Sequence, residues 1–460
     1  MEEQEYKRIA RLVRQNQELQ DRNRQLAAEN ERLEQQIENL ERRLSRVKEE
    51  KSGIAATDEP ETFLKFKTGT VLFADIQGFS KLTEQMDVHI LMDELDSLFF
   101  HFDSIVRRYN LQKLKTIGDS YMCVGGVPVR NSTNPIDVVM AALEMYHYLG
   151  EVKMKSDKNT IWDIRIGVHT GQVTTVANGK KKISWEIKGD TVNIASRLSS
   201  SCAVGRINIS ANTYELVKEF FNCEYNGKIP VKYLGNISMY YVRGIIPQIS
   251  LDSQGLLPNE KFDIKFKLVQ FMDLQEIILD KLERDLPRYL YYHDVKHTID
   301  VVTEVELIGW AEGITEEEVL LLKTAALFHD SGHIRGYDDH EHHSCQLARE
   351  YLPAYNFSAK QIERVCELIM ATRMPPQPRN LLEKIICDSD LDYLGRSDFI
   401  PVSNTLYEEL KEQNKIGSLD EWNRLQIKFI SSHQYFTRTA RSLREINKQK
   451  QIERIKGILS

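Results

Sequence analysis

From residue 5 to residue 50, apolar side chains return every seventh position, and few folds can use such a repeat. One seam carries Leu12, Leu19, Leu26, Leu33, Leu40 and Val47. The other carries Ile9, Asn16, Asn23, Asn30, Ile37 and Leu44, and no proline or glycine interrupts either. A strict seven-residue period keeps both seams in contact only if two helices supercoil around each other. Asparagine on the second seam favours a parallel two-stranded coil, because the two amides meet across the axis and pair. Three such asparagines weaken the coil while fixing its register. Glu29 and Glu34, set to face each other across chains, give it little more. The expectation is a parallel coiled coil over 1–50 that makes a homodimer. A long solvated single helix is the alternative for the same pattern.

The pattern changes twice along the 460 residues. Lys51 to Pro60 reads as a linker. Residues 61–244 mix periods of two and 3.6, which predicts strands at 69–76, 111–116, 119–125, 162–168 and 237–242. Helices are expected there at 89–109, 135–149, 191–200 and 211–220. A second linker, IIPQISLDSQGLLP, fills 245–258. Beyond it the strand pattern stops, and helices are expected at 262–284, 295–312, 315–329, 341–352 and 358–371. The part from 259 to 460 reads as all-α. A net charge of −7 and a pI near 6.0 argue against a broad nucleic-acid surface. Six cysteines without a CxxC pair argue against a disulfide framework or a thiolate zinc site. No apolar run approaches the ~20 residues of a membrane span, and MEEQEYKRIA lacks an apolar signal core. A soluble, cytoplasmic protein is expected.

VLFADIQGFS, residues 71–80, puts Asp75 at the end of an apolar strand and just before Gly78. An unpaired carboxylate there costs several kcal/mol, so something must neutralise it. KLKTIGDSYMCVGG adds Asp119 in a Gly118–Asp119 turn between two short strands. Two acids, each at a turn beside a strand, suit magnesium, which takes few carboxylates and completes its shell with substrate phosphates. In GDTVNIASR, Asn193 and Arg197 lie four apart on one helical face, an amide and a guanidinium fitted to ribose and phosphate.

FADIQGFS, KLKTIGDSYM, RIGVHTGQV and GDTVNIASR together resemble the class III nucleotidyl cyclase catalytic domain, in family order and over nearly all of 61–244. The resemblance implies a ferredoxin-like α/β core, a head-to-tail dimer and active sites shared between chains. It also implies two Mg²⁺ or Mn²⁺ ions per site on Asp75 and Asp119, and phosphates cradled by the backbone of Ile76, Gly78 and Phe79. Asn193 would orient the ribose and Arg197 would stabilise the transition state. Lys115 matches the lysine that reads adenine, and Glu186 falls where adenylate cyclases usually carry Asp or Thr. Guanylate cyclases usually carry Glu and Cys at these two positions, so ATP is the expected substrate. The family's second phosphate-binding lysine would fall near Leu234; Lys232 is the available replacement.

The histidines gather in the C-terminal part. YHDVKH holds His293 and His297, FHDSGH holds His329, Asp330 and His333, and HEHH holds His340, His342 and His343. CDSDLDYLG adds Asp388, Asp390 and Asp392. Imidazoles and carboxylates together suit a divalent metal. Residues 262–400 resemble the HD superfamily of metal-dependent phosphohydrolases. By that likeness His297, His329, Asp330 and Asp390 are ligands, and the identity of the ion is open. His333 with either His342 or His343 would hold a second ion bridged by Asp330. Likeness to cyclic-nucleotide phosphodiesterase motifs would make His293 the general acid and cyclic AMP the substrate. Four readings stay open: an adenylate cyclase with a second hydrolytic site, a phosphohydrolase regulated by a nucleotide-binding cyclase-like domain, a guanylate cyclase, and a scaffold whose coiled coil docks a partner.

Overall fold

The computed structural model describes residues 62–77, 88–155, 162–178, 184–231 and 235–459. The expected coiled coil over 1–50 and the linker over 51–60 lie outside these, as do Gly78, Phe79, Lys232 and the side chain of Glu186.

The first half of the described chain is one eight-stranded mixed sheet with helices. Its strands are β1 (Thr62–Gln77), β2 (Gln112–Ile117), β3 (Ser120–Gly125), β4 (Asp163–Asn178), β5 (Ser184–Lys188), β6 (Arg206–Ser210), β7 (Phe221–Val231) and β8 (Gly235–Ile245). The order is β2-β3-β1-β4-β6-β8-β7, with β5 paired to β4. β4 and β6 run parallel, while β1–β3, β2–β3, β4–β5, β6–β8 and β7–β8 are antiparallel. The helices are α1 (Val88–Arg108), α2 (Asn134–Lys155), α3 (Asp190–Ser200) and α4 (Ala211–Val217).

Alternation in β1 decides which face meets which layer. Leu72, Ala74 and Ile76 join the core that contains Leu95 and Phe102 of α1 and Val138 and Ala142 of α2. Val71 and Phe73 face the other way, into a smaller cluster with Met122, Val173 and Ala195. Asp75 follows them in period and so lies on the face opposite α1 and α2. Gly167 of β4 brings α3 close to the sheet. A Cβ there would fall 2.2 Å from Ser199 N and 2.4 Å from Ala195 O, so only glycine lets the helix lie this near.

The expected linker at 245–258 is folded rather than loose. Ile249 is buried, and Ser250 bridges to Pro258. Asn259 caps α5 (Glu260–Asp285), accepting from Lys261 N at 2.9 Å and Phe262 N at 3.2 Å. Helix α5 belongs to two cores. Its Phe262 packs with the sheet domain, whereas Phe271, Leu274, Ile278 and Leu282 join the core of the helical domain. The further helices of that domain are α6 (Val295–Glu312), α7 (Glu316–Phe328), α8 (His340–Tyr351), α9 (Ala359–Ala371), α10 (Leu381–Asp390), α11 (Phe399–Glu412), α12 (Leu419–Ser432) and α13 (Arg438–Leu459). Among the described residues, no helix is long and apolar enough to cross a membrane.

Candidate active sites

In the sheet domain the β1 and β3 ends bring two acids together. Asp75 pairs in register with Ser120, the residue after Asp119. Ser120 Oγ donates to Asp75 Oδ1 at 2.9 Å, Gln77 Nε2 donates to Oδ2 at 2.6 Å, and Ile76 N donates to Asp119 O at 3.0 Å. Gly118, at φ +60°, supplies the left-handed turn that swings Asp119 back toward β1. Burial lifts the Asp119 carboxyl above its ordinary value, and the nearby Asp75 charge adds to that, against a backbone hydrogen bond that lowers it. Two like charges held side by side and partly desolvated suit a divalent cation, which removes the repulsion that raises Asp119.

Lys115 is exposed on β2, beside a bulge between Lys113 and Lys115. Glu186 lies in β5, in register with Val176 of β4. Asn193 and Arg197 are both exposed on α3, and Arg197 Nη1 donates to Pro230 O at 3.0 Å. Among the described residues, no hydrogen bond or ion pair joins Asn193 or Arg197 to Asp75 or Asp119.

In the helical domain Asp294 caps α6 by accepting from His297 N at 2.8 Å. The YHDVKH turn therefore starts the helix and aims His297 in one step. At the end of α7, His329 Nδ1–H donates to Ala326 O at 2.8 Å, which leaves its Nε2 lone pair free. His297 Nε2 and His329 Nε2 are 3.2 Å apart. Asp330 Oδ2 lies 3.3 and 3.1 Å from these nitrogens, and Asp390 Oδ1 lies 3.2 and 3.5 Å from them. An ion about 2.1 Å from each donor sets neighbouring donors about 3.0 Å apart in octahedral and about 3.4 Å in tetrahedral geometry. The observed separations match these edges. Asp330 Oδ2 is buried, yet it receives no well-aligned hydrogen bond, as a ligand oxygen should. Burial pushes the His297 imidazole down, but the neighbouring Asp330 and Asp390 carboxylates outweigh it and raise it to about 9. The two carboxylates that draw a proton to this pocket also draw a metal cation, which releases that proton when it binds.

A second group, His293, Asp330 and His333, sits alongside. His333 is buried and neither of its ring nitrogens has a partner. The third imidazole beside it is His340, whose Nε2 is 3.5 Å from Asp330 Oδ1 and whose ring stacks on His333 at 4.0 Å. His342 and His343, expected from sequence in this place, lie elsewhere. His342 is exposed and lines a separate cavity, and the His343 ring lies over Gly336. Helical period turns His342, two residues on, away from the face His340 presents, and His343, one turn on, packs over Gly336 instead. Gly332 fixes the start of α8, since a Cβ there would fall 1.8 Å from His340 O.

The three acids of CDSDLD take three different tasks. Asp390 faces the imidazoles. Asp388 accepts from Phe436 N, Thr437 N and Thr437 Oγ1 and so anchors the approach to α13. Asp392 pairs with Arg444 of α13. Sequence reading did not single out Glu409 of α11, which is fully buried beside the site. Its Oε2 accepts from Tyr292 N at 3.0 Å and His293 N at 3.2 Å, and its Oε1 holds His293 Nδ1. Its burial is legible only in the fold, 116 residues from His293 along the chain.

The family model "Adenylate and Guanylate cyclase catalytic domain" matches residues 64–244, and the model "HD domain" matches 294–392. The chain carries both domains. Similar proteins include a receptor-type guanylate cyclase, gcy-8, of Caenorhabditis elegans, 34% identical over 183 residues, covering 39% of this chain and 16% of that protein. An adenylate cyclase of Mycobacterium bovis is 33% identical over 199 residues, covering 43% of each. Among solved structures, the guanylate cyclase domain of RhGC from Catenaria anguillulae in complex with GTP is 31% identical. It covers 39% of this chain and 97% of that one, with a TM-score of 0.36. The chain spans less than half the length of the curated relatives named here, and these include both adenylate and guanylate cyclases.

Proposed function

We propose that this chain, which joins a nucleotidyl cyclase domain to an HD domain, makes cyclic AMP and pyrophosphate from ATP and hydrolyses a phosphate ester at its second site. The observation that carries the first part is the Asp75–Asp119 pair, two carboxylates held together across β1 and β3 with Asp119 raised by its surroundings. Magnesium or manganese bound there would supply charge neutralisation for the triphosphate and a more acidic ribose 3′-hydroxyl. The chain's own groups do the rest. The Ile76 backbone lies beside the phosphates, Asn193 orients the ribose, and the Arg197 guanidinium neutralises charge growing on the α-phosphoryl oxygens.

Arg197 and Asn193 are exposed on α3, which supports their acting on the site of a second copy in a homodimer. Lys115 can donate to adenine N1, and a carboxylate at Glu186 can accept from the exocyclic amine. Guanine presents the reverse pattern, and a buried mismatch of this kind discriminates strongly. Guanylate cyclase activity is the second reading, favoured by the guanylate cyclases among the relatives. Product analysis with ATP and GTP separates the two. Asp75→Ala should abolish turnover of either nucleotide, and undiminished turnover in that variant refutes the cyclase site.

At the HD site the cluster of His297, His329, Asp330 and Asp390 supports a divalent ion, and His293, held by Glu409, supports a proton donor for the leaving oxygen. Cyclic AMP is the substrate proposed, since the neighbouring domain would make it. The test uses Asp119→Ala, which silences the cyclase. Cleavage of other phosphoesters with cyclic AMP left intact would retain the phosphohydrolase and reject the phosphodiesterase.

A further inference from the structure

Of the six cysteines, two meet. Cys345 lies on α8 and Cys366 on α9, and both are buried. Cys345 Sγ donates to Cys366 O at 3.6 Å, and Cys366 Sγ donates to Cys345 O at 3.8 Å. Each sulfur thus lies over the other residue's backbone. A disulfide needs two side chains carried on neighbouring backbones, and the reciprocal contacts bring each sulfur within 4 Å of the other residue's backbone. No hydrogen bond joins any other pair of cysteines among the described residues.

The pair is also within reach of small reagents. Both cysteine residues border a surface cavity of about 830 Å³, with His342, Arg349, Arg364 and Arg373 around it. The Cys366 thiol is held below its ordinary value by its contact with Cys345 and by the Arg349 charge, against burial and the Glu363 charge.

We propose that Cys345 and Cys366 are a redox modification site, forming a reversible disulfide that clamps α8 to α9 when a peroxide is present. The Cys366 thiolate attacks one peroxide oxygen; an S–O bond forms, the O–O bond breaks, and the departing hydroxide takes up a proton as water. Cys345 sulfur then attacks the sulfenyl sulfur; the S–S bond forms, the S–O bond breaks, and the second hydroxide leaves as water with the Cys345 proton. Two thiols lose two electrons, and one hydrogen peroxide becomes two waters. A dithiol reductant reverses the change.

The clamp has a path to the HD site. Ser344, next to Cys345, donates to His329 O at 2.7 Å and accepts from Gly332 N at 2.8 Å. His340 begins the same helix and faces Asp330. Tying α8 to α9 therefore shifts the segment that carries His329, Asp330 and His333. Formation of the bond stands independently of the proposed hydrolysis; only its consequence rests on that reading.

The test treats the full chain with hydrogen peroxide, alkylates it under denaturing conditions and maps the peptides by mass spectrometry. The expected product is one Cys345–Cys366 linked peptide lacking two hydrogens, with the other four cysteines alkylated and the link lost in dithiothreitol. In Cys345→Ser, Cys366 should stop at a sulfenic acid that dimedone traps. If both thiols stay alkylatable at a dose that oxidises the exposed Met154 and Met272, the proposal is wrong. Should Cys345→Ser fail to fold, the wild-type peptide map decides alone. Manganese affinity, read by calorimetry before and after oxidation, should fall by about 10- to 100-fold if the His329–His333 segment moves. Unchanged affinity overturns the path to the metal cluster.

Discussion

Replacing Glu409 by glutamine should slow the HD site selectively, according to the leaving group. The carboxylate is fully buried and receives three hydrogen bonds: Tyr292 N, His293 N and the His293 ring. Glutamine keeps the size, and its carbonyl oxygen can still accept the two backbone bonds. Its amide nitrogen then meets His293 Nδ1 as a donor, and the charged hydrogen bond between the ring and the carboxylate is gone. A hydrogen bond to a charged group is worth about 1.5–3 kcal/mol. Lost from the proton-donating form of His293, that equals a rate fall of about 10- to 150-fold. The fall should appear with a substrate whose leaving oxygen is a poor one, such as a ribose alkoxide, because that oxygen needs the proton. A p-nitrophenyl phosphodiester leaves without one and should lose little. The assay compares kcat for both substrates in wild type and Glu409→Gln with manganese at equal folded fraction, checked by circular dichroism. An equal loss on both substrates, or none on either, would refute the assignment of His293 as acid and Glu409 as its support.

Other outcomes follow from the same geometry. Asp330→Ala should strip the divalent metal from the helical domain, read by elemental analysis of the purified protein, since Asp330 contributes to both groups of donors. Mixing Asp75→Ala with Arg197→Ala chains should restore cyclase activity once subunits exchange, because one complete shared site is rebuilt; no recovery despite exchange would rule out shared sites. Asp137 of α2 gives a pH signature: burial pushes its carboxyl up to about 7, and the Asp273 charge adds to this against the Thr133 hydrogen bond. A raised folded value favours the neutral form, so stability is lost as pH rises from the ordinary carboxylate range through about 7. Asp137→Asn should therefore raise Tm at pH 8 by more than at pH 5. The full shift corresponds to at most about 4 kcal/mol, and the favourable charge at the α2 N-terminus reduces it. Gly332→Ala should unfold or disorder the start of α8, measured as a lower Tm and lost metal, because its Cβ has no room beneath His340 O.

Much of the fold was written locally. The strand at 69–76, the helices at 89–109 and 135–149, and the helices from 262 to 371 each carry their own period, and the described chain has elements at all of them. β6 is a five-residue strand, too short to show a period. β7 was hidden because it is an edge strand with Gly227 and Pro230 and two register shifts against β8, so neither face needs continuous apolar residues. The folded segment at 245–258 read as a linker because its order comes from contacts with β8 and α5, not from its own pattern.

The residue types of both sites were legible for a similar reason. Acids at strand ends, His and Asp at helix ends, and glycines beside them are local signals, because turns and caps are local chemistry. Which of them face one another was not. Three histidines in HEHH look alike along the chain, and only the packing of α8 on Gly332 sets His340, rather than His342 or His343, against Asp330. Three acids in CDSDLD look alike too, yet the segment leading into α13 claims Asp388, α13 itself claims Asp392, and Asp390 is left to the imidazoles. Glu409 and the Cys345–Cys366 contact carry no sequence signal, since each depends on helices far apart in the chain coming into register. Sequence supplies the chemistry each group can perform; the tertiary structure supplies its neighbour, because charge, hydrogen bonding and thiol exchange act over a few ångströms of space and not along the chain.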